Sequence, residues 1–221
     1  MHGLSFDIAH MLAGGLVLVS FMMIYQDRLY SLLNTFALQA MLLALAVAWQ
    51  AWTQGASHLY ASAAIALVFK GIIVPWALYR IVRRLGIHRD VETVAGVVPT
   101  MLAGMGLVAL SILLMLQLTQ AAESAVARED LAFALSVILL GMLMMITRRN
   151  AVTQIVGFMS LENGLILAAA GAQGMPLVVE ISVAFSVLIA MIVIGVFLFR
   201  IRERFDSVDL EALDEFRGER R

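Results

Sequence analysis

Cysteine is absent from this 221-residue chain, proline occurs three times, and Asp, Glu, Lys and Arg together make up only 14% of the residues. Without cysteine there is no disulfide, no thiolate nucleophile, and no cysteine ligand for zinc or an iron–sulfur cluster. A soluble domain is about 25% charged and about 45–50% apolar. This chain is 62% hydrophobic, which excludes an ordinary soluble domain and leaves an all-α, multi-pass membrane protein. The net charge of −1 says nothing about partners, because the charges are segregated along the chain, and no basic nucleic-acid-binding surface is present. Basic residues are missing before Arg28, so no positive leader precedes the first apolar run and no cleavable signal is expected.

Seven apolar runs approach the ~20 residues that a spanning helix needs. They are Phe6–Tyr25, Tyr30–Thr53, Leu59–Tyr79, Val94–Gln120, Leu131–Ile146, Ala151–Gly171 and Leu177–Phe199. Backbone groups cannot stay unpaired in lipid, so each run is expected to be helical. Pro75 falls inside the third run and predicts a kink there. Pro176 suits the first turn of the seventh helix.

Seven spans place alternate loops on opposite sides. One set of loops holds Arg28, Arg80, Arg83, Arg84, Arg89, Arg148, Arg149 and the six arginines from Arg200 to Arg221, while the other holds only Arg128. Cytoplasmic loops are the basic ones, which predicts the N-terminus outside and the C-terminus in the cytoplasm. Three parts follow: a four-helix part at 1–128, a three-helix part at 129–200, and a tail at 201–221. The tail interleaves charges with Phe205, Val208, Leu210, Leu213 and Phe216. It reads either as an amphipathic helix on the cytoplasmic face or as a solvated end.

Two charges lie near the centres of apolar runs. Glu162 is twelve residues past Asn150 and nine before Gly171; Lys70 is twelve past His58 and ten before Arg80. A charge at that depth costs at least ~2.5–3.5 kcal/mol on insertion scales, and such residues generally mark ion or proton pathways. Burial and neighbours can drive both groups between charged and neutral forms. Glu162 and Lys70 are therefore candidate proton-relay residues. The alternatives are a hydrogen-bonded acid that fixes helix packing and a lysine that snorkels to the interface. Gly157, Ser160, Gly164, Ala168 and Gly171 occupy the face opposite Glu162, where small residues let another helix approach closely. Glu180 stands near the outer end of the seventh run, as an outer proton station or an interfacial cap. Asp7 and His10 are expected to be solvated.

His2, His10, His58 and His88 all lie at termini or run ends, which disfavours a membrane haem held by paired histidines. A retinal lysine belongs on the last helix, and this last run has none. No phosphate loop, metal-ligand cluster or nucleophile–base motif occurs. No cofactor and no catalytic centre of its own are expected for the chain.

The stretch Thr147-Arg148-Arg149-Asn150, followed by Ser160-Leu161-Glu162-Asn163, resembles the smallest three-helix membrane subunit of respiratory complex I, the NuoK type. So do Asp206-Ser207-Val208 and Phe216-Arg217-Gly218 in the tail. The resemblance covers Leu131 to Gly218. Over nearly its full length the chain looks closer to hydrogenase-4 component E, the HyfE type. His58-Leu59-Tyr60 and Lys70-Gly71-Ile72-Ile73-Val74-Pro75-Trp76 are similar to that family's third helix, and Val152–Phe158 with Leu161-Glu162-Asn163-Gly164 to its sixth.

The resemblance implies a subunit of a complex I-like or group 4 nickel–iron-hydrogenase-type respiratory complex in the bacterial inner membrane. Its partners would be antiporter-like and other membrane-arm subunits, with a peripheral redox arm reached indirectly. In the complex I subunit the glutamate takes part in proton translocation, which implies that role for Glu162. Two departures stand out. The Asn-to-Glu spacing is about three residues longer here, close to one helical turn. The family's second, deeper acid would fall near Ser186 or Val187, and Glu180 lies about two turns outward. The competing expectation is a scaffold that bridges partners and conducts no protons. A free-standing transporter is disfavoured, because no internal repeat relates the halves.

Overall fold

The computed structural model describes residues 2–85, 96–118 and 125–171, and they are helical almost throughout. Helix α1 spans His2–Tyr25 and α2 spans Leu29–Gln54. A third rod is built from α3 (Ser57–Ala66), a π-helical segment (Leu67–Ile73) and α4 (Val74–Leu85). Helices α5 (Val97–Leu118), α6 (Ala125–Thr147) and α7 (Ala151–Gly171) complete the described part. Among the described residues, six spans are long and apolar enough to cross a membrane: Asp7–Tyr25, Leu29–Gln54, Ser57–Arg80, Val97–Gln117, Asp130–Thr147 and Val152–Gly171. They coincide within a few residues with the first six apolar runs. The seventh run, Leu177–Phe199, together with Glu180 and the tail, lies outside the described residues.

The described helices belong to one compact unit. Helix α7 packs most closely on α6 and also meets α2; α1 lies against α2 and α6; α5 rests on α6, and the π-containing rod on α2. Leu16, Leu43 and Val47 meet Val137, Leu140 and Ile166 in the core between these helices. Most of α5 is uncovered, with Leu102, Met105 and Leu113 exposed.

The α6–α7 seam is tight at three glycines. A Cβ on Gly141 would lie 2.6 Å from the backbone nitrogen of Leu161, one on Gly157 3.1 Å from the carbonyl oxygen of Gly141, and one on Gly164 2.9 Å from the carbonyl oxygen of Ala134. Two of the five small residues expected to admit a neighbouring helix thus do so against α6. Across the α5–α6 contact, the Ser111 and Ser136 hydroxyls hydrogen-bond each other.

The ends of the bundle are tied by polar caps. Asn150 opens α7 by accepting the Val152 N–H on its Oδ1 at 2.9 Å, which satisfies a donor that the first helical turn leaves free. Gly55, at φ 66°, closes α2, and the Ala56 N–H donates back to the Ala51 carbonyl at 3.0 Å; glycine takes this left-handed conformation without steric cost. At that same end the Gln54 amide donates to the Ala170 carbonyl at 2.9 Å.

The third rod changes its winding just ahead of Pro75. Its ring has no N–H and crowds the carbonyl four residues back. The seven residues ahead of Val74 are wound as a π-helix, and the Val74 N–H reaches the carbonyl of Phe69, five residues away. The wider turn gives the proline ring space. Lys70 sits in the middle of this segment.

Candidate functional site: a buried ion pair and its amide chain

Lys70 and Glu162 meet inside the bundle. The Lys70 Nζ is 3.2 Å from Oε2 of Glu162, and both side chains are at least 95% buried. The lysine arrives from the π segment and the acid from α7, both inside spans. Lys70 does not snorkel. Its alkyl stem runs inward, and its ammonium is satisfied within the protein. Of the three sequence candidates, the structure thus brings two into contact; the third, Glu180, lies outside the described residues.

The pair continues into a chain of neutral polar groups. Lys70 donates to Oδ1 of Asn163 at 2.9 Å. Asn163 Nδ2 donates to Oε1 of Gln39 at 3.1 Å. Gln39 Nε2 donates to the hydroxyls of Ser20 at 2.8 Å and Ser160 at 2.9 Å. Ser20 in turn donates to the Leu16 carbonyl at 2.8 Å. Gln39 and Asn163 are fully buried. The chain therefore crosses α1, α2, α7 and the π segment.

Local sequence explains the arrangement. Ser160 and Asn163 are three apart on α7 and share one face, so a single amide from α2 can bridge them. Glu162 and Asn163 are consecutive and diverge around the helix, and the lysine tip sits between their two side chains. Burial of an ion pair is tolerable only when its remaining polar atoms are also bonded. Asn163 supplies such a bond to the ammonium.

Gln39, Ser20 and Asn163 were not among the sequence candidates. The available signal was a polar residue midway along an apolar run, which Gln39 is in Tyr30–Thr53. Ser160, expected to serve only as a small packing residue, also accepts a hydrogen bond from Gln39.

One loop arginine is buried, and one histidine differs from expectation. Arg148, counted among the loop arginines, is 2% exposed. It donates to the carbonyls of Ile24 and, at 3.1 Å, Gln26, capping the end of α1 with a cation where the helix dipole is negative. Burial holds its guanidinium below the ordinary value, and the charge of Asp27 opposes that shift. His10, expected in solvent, is half-buried: its Nδ1 is 3.4 Å from Oδ1 of Asp130, and its ring meets Phe133 edge-on at 5.0 Å. Asp7 is exposed, as expected.

No protein-family model matches the chain, and no solved structure matches it. It is 32% identical over 209 residues to the uncharacterized protein Rv0085 of Mycobacterium tuberculosis, across 93% of this chain and 94% of that protein.

Proposed function

This chain belongs to the same family as the uncharacterized protein Rv0085 of Mycobacterium tuberculosis, and for this member of it we propose a proton-translocating or coupling role in the membrane arm of a complex I-like or group 4 nickel–iron-hydrogenase-type respiratory complex. The observation that carries the reading is the Lys70–Glu162 contact, 3.2 Å long and enclosed by helices. An acid and an amine in contact can pass one proton between them with no change in net charge. Both are neutral after the transfer. A charge presented by a neighbouring subunit then decides which arrangement is held. The resemblance of Leu161-Glu162-Asn163 to a proton-handling motif supports the same role.

In this reading the complete bundle has seven helices in the bacterial inner membrane, with its N-terminus outside and its C-terminus cytoplasmic. Antiporter-like subunits adjoin it, and the redox chemistry resides in a peripheral arm. Glu180 serves as an outer station of the path. The chain itself needs no catalytic centre.

The second reading is a scaffold with a static ion pair. It is favoured by one observation: Asn163 and Glu162, both from this same chain, already hold the Lys70 ammonium. One variant separates the readings. Glu162→Gln keeps the size and hydrogen-bonding capacity of the side chain and removes its titration. In sealed membrane vesicles carrying the native complex, it is expected to abolish coupled proton movement, followed with a pH-sensitive dye, while the subunits still co-purify. Undiminished proton movement would leave the scaffold standing.

A further inference from the structure

We propose that Gln39, anchored by Ser20 and Ser160, is the positioning residue that turns the Asn163 carbonyl oxygen towards Lys70. The inference deepens the relay reading and rests on it for what the arrangement means for protons. The two ends of an asparagine or glutamine amide have nearly the same shape, so packing alone does not decide which end faces a neighbour. Hydrogen bonding decides it here, and it does so from both ends of the chain. A lysine ammonium only donates, and a backbone carbonyl only accepts. The chain starts at the Lys70 ammonium and ends at the Leu16 carbonyl.

Each link between those ends is then forced. The Ser20 hydroxyl spends its proton on Leu16, so towards Gln39 it can only accept. Gln39 must therefore direct its NH2 at Ser20, and the same NH2 also reaches Ser160. That leaves its Oε1 facing Asn163, which must answer with Nδ2. The Asn163 oxygen is then free for the lysine. A reversed Asn163 would set two donors, its NH2 and the ammonium, against each other. The Leu16 carbonyl on α1 and the ammonium on the π segment thus favour the same orientation of both amides.

The polarity has a consequence for transport. All the hydrogen bonds run the same way, from the ammonium towards a carbonyl, through amide nitrogens that do not accept protons. This branch holds the lysine and does not conduct. Of the two described residues that hold Lys70, only Glu162 is left to exchange a proton with it.

Lys70 is the chain's one lysine, which makes the test site-specific. Full-length protein in liposomes is labelled with 15Nζ-lysine and 13Cγ,15Nδ2-asparagine, and through-space transfer from Lys70 to asparagine Cγ without transfer to Nδ2, the pattern of an amide whose oxygen faces the lysine, is measured by solid-state NMR. The wild type is expected to show that pattern. Gln39→Met, close to glutamine in size but lacking the amide, is expected to lose it and to shift the lysine signal. If Gln39→Met does not insert as a folded protein, the double variant Ser20→Ala, Ser160→Ala keeps the amide, removes only its two acceptors, and is expected to show the same loss. The wild-type pattern in whichever variant folds overturns the proposal. The readout does not depend on proton movement, so its failure is distinct from a failure of Glu162→Gln to stop transport.

Discussion

Lys70 is held by two neighbours of different kinds, one charged and one neutral, and the difference matters for stability. Removing one member of a buried ion pair costs on the order of 3–5 kcal/mol, because the other charge is left uncompensated, whereas replacing both by apolar groups is often neutral. Lys70→Met is therefore expected to lower the thermal stability of the detergent-solubilised protein sharply. The double variant Lys70→Met, Glu162→Met is expected to recover much of the loss, and a double-mutant cycle on melting temperatures measures the coupling. Additive effects would mean that the two side chains do not depend on each other. At this scale the sequence revealed Lys70 and Glu162, because charge stands out against an apolar run. It did not reveal Gln39 or Ser20, because a neutral amide or hydroxyl in a helix has many uses, and its partners are set by which helices meet.

Among the elements, α6 and α7 approach most closely, and their contact is made of backbone as much as of side chains. The sequence showed that one face of α7 is small. It did not show which helix uses that face, or that Gly141 on α6 completes the seam. Gly141→Ala is expected to destabilise by ~1–3 kcal/mol, the usual cost of overpacking, since its new carbon would lie 2.6 Å from the Leu161 nitrogen. Gly106→Ala on α5 is the control, with nothing within 4 Å of its added carbon; it is expected to be neutral or slightly stabilising, because alanine favours helix by about 1 kcal/mol over glycine. Thermal unfolding of the two variants in one detergent makes the comparison. The third rod shows a similar limit of sequence reading. Pro75 announced an interruption, but not that the turns before it would widen into a π segment, nor that this segment would pack on α2 with Lys70 against α7.

Across the whole molecule, the described loops sort to two ends. Arg148 caps α1 beside Gln26 and Asp27, so the α1–α2 and α6–α7 connections share one end. Gln54 bonds Ala170, so the end of α2 and the end of α7 share the other. The proposed topology puts the first of these ends in the cytoplasm, where basic loops are expected. The absence of cysteine makes that assignment easy to test. Arg149→Cys and Ser57→Cys each introduce a single thiol at an exposed position. A membrane-impermeant maleimide added to spheroplasts is expected to label position 57 and not 149, with the reverse in inverted vesicles. Labelling of 149 from outside would invert the proposed topology.

Hydropathy and length alone set the helical class and the first six spans, because a segment in oil must pair its own backbone and only a long apolar helix does so. The same reasoning flagged a lone amine and a lone acid as costly. Tertiary packing decided that these two charges lie against each other, that an arginine counted as a loop charge is buried as a cap, and that four segments are joined by one directional run of hydrogen bonds. Those outcomes depend on which surfaces touch, and no periodicity along a single chain encodes that.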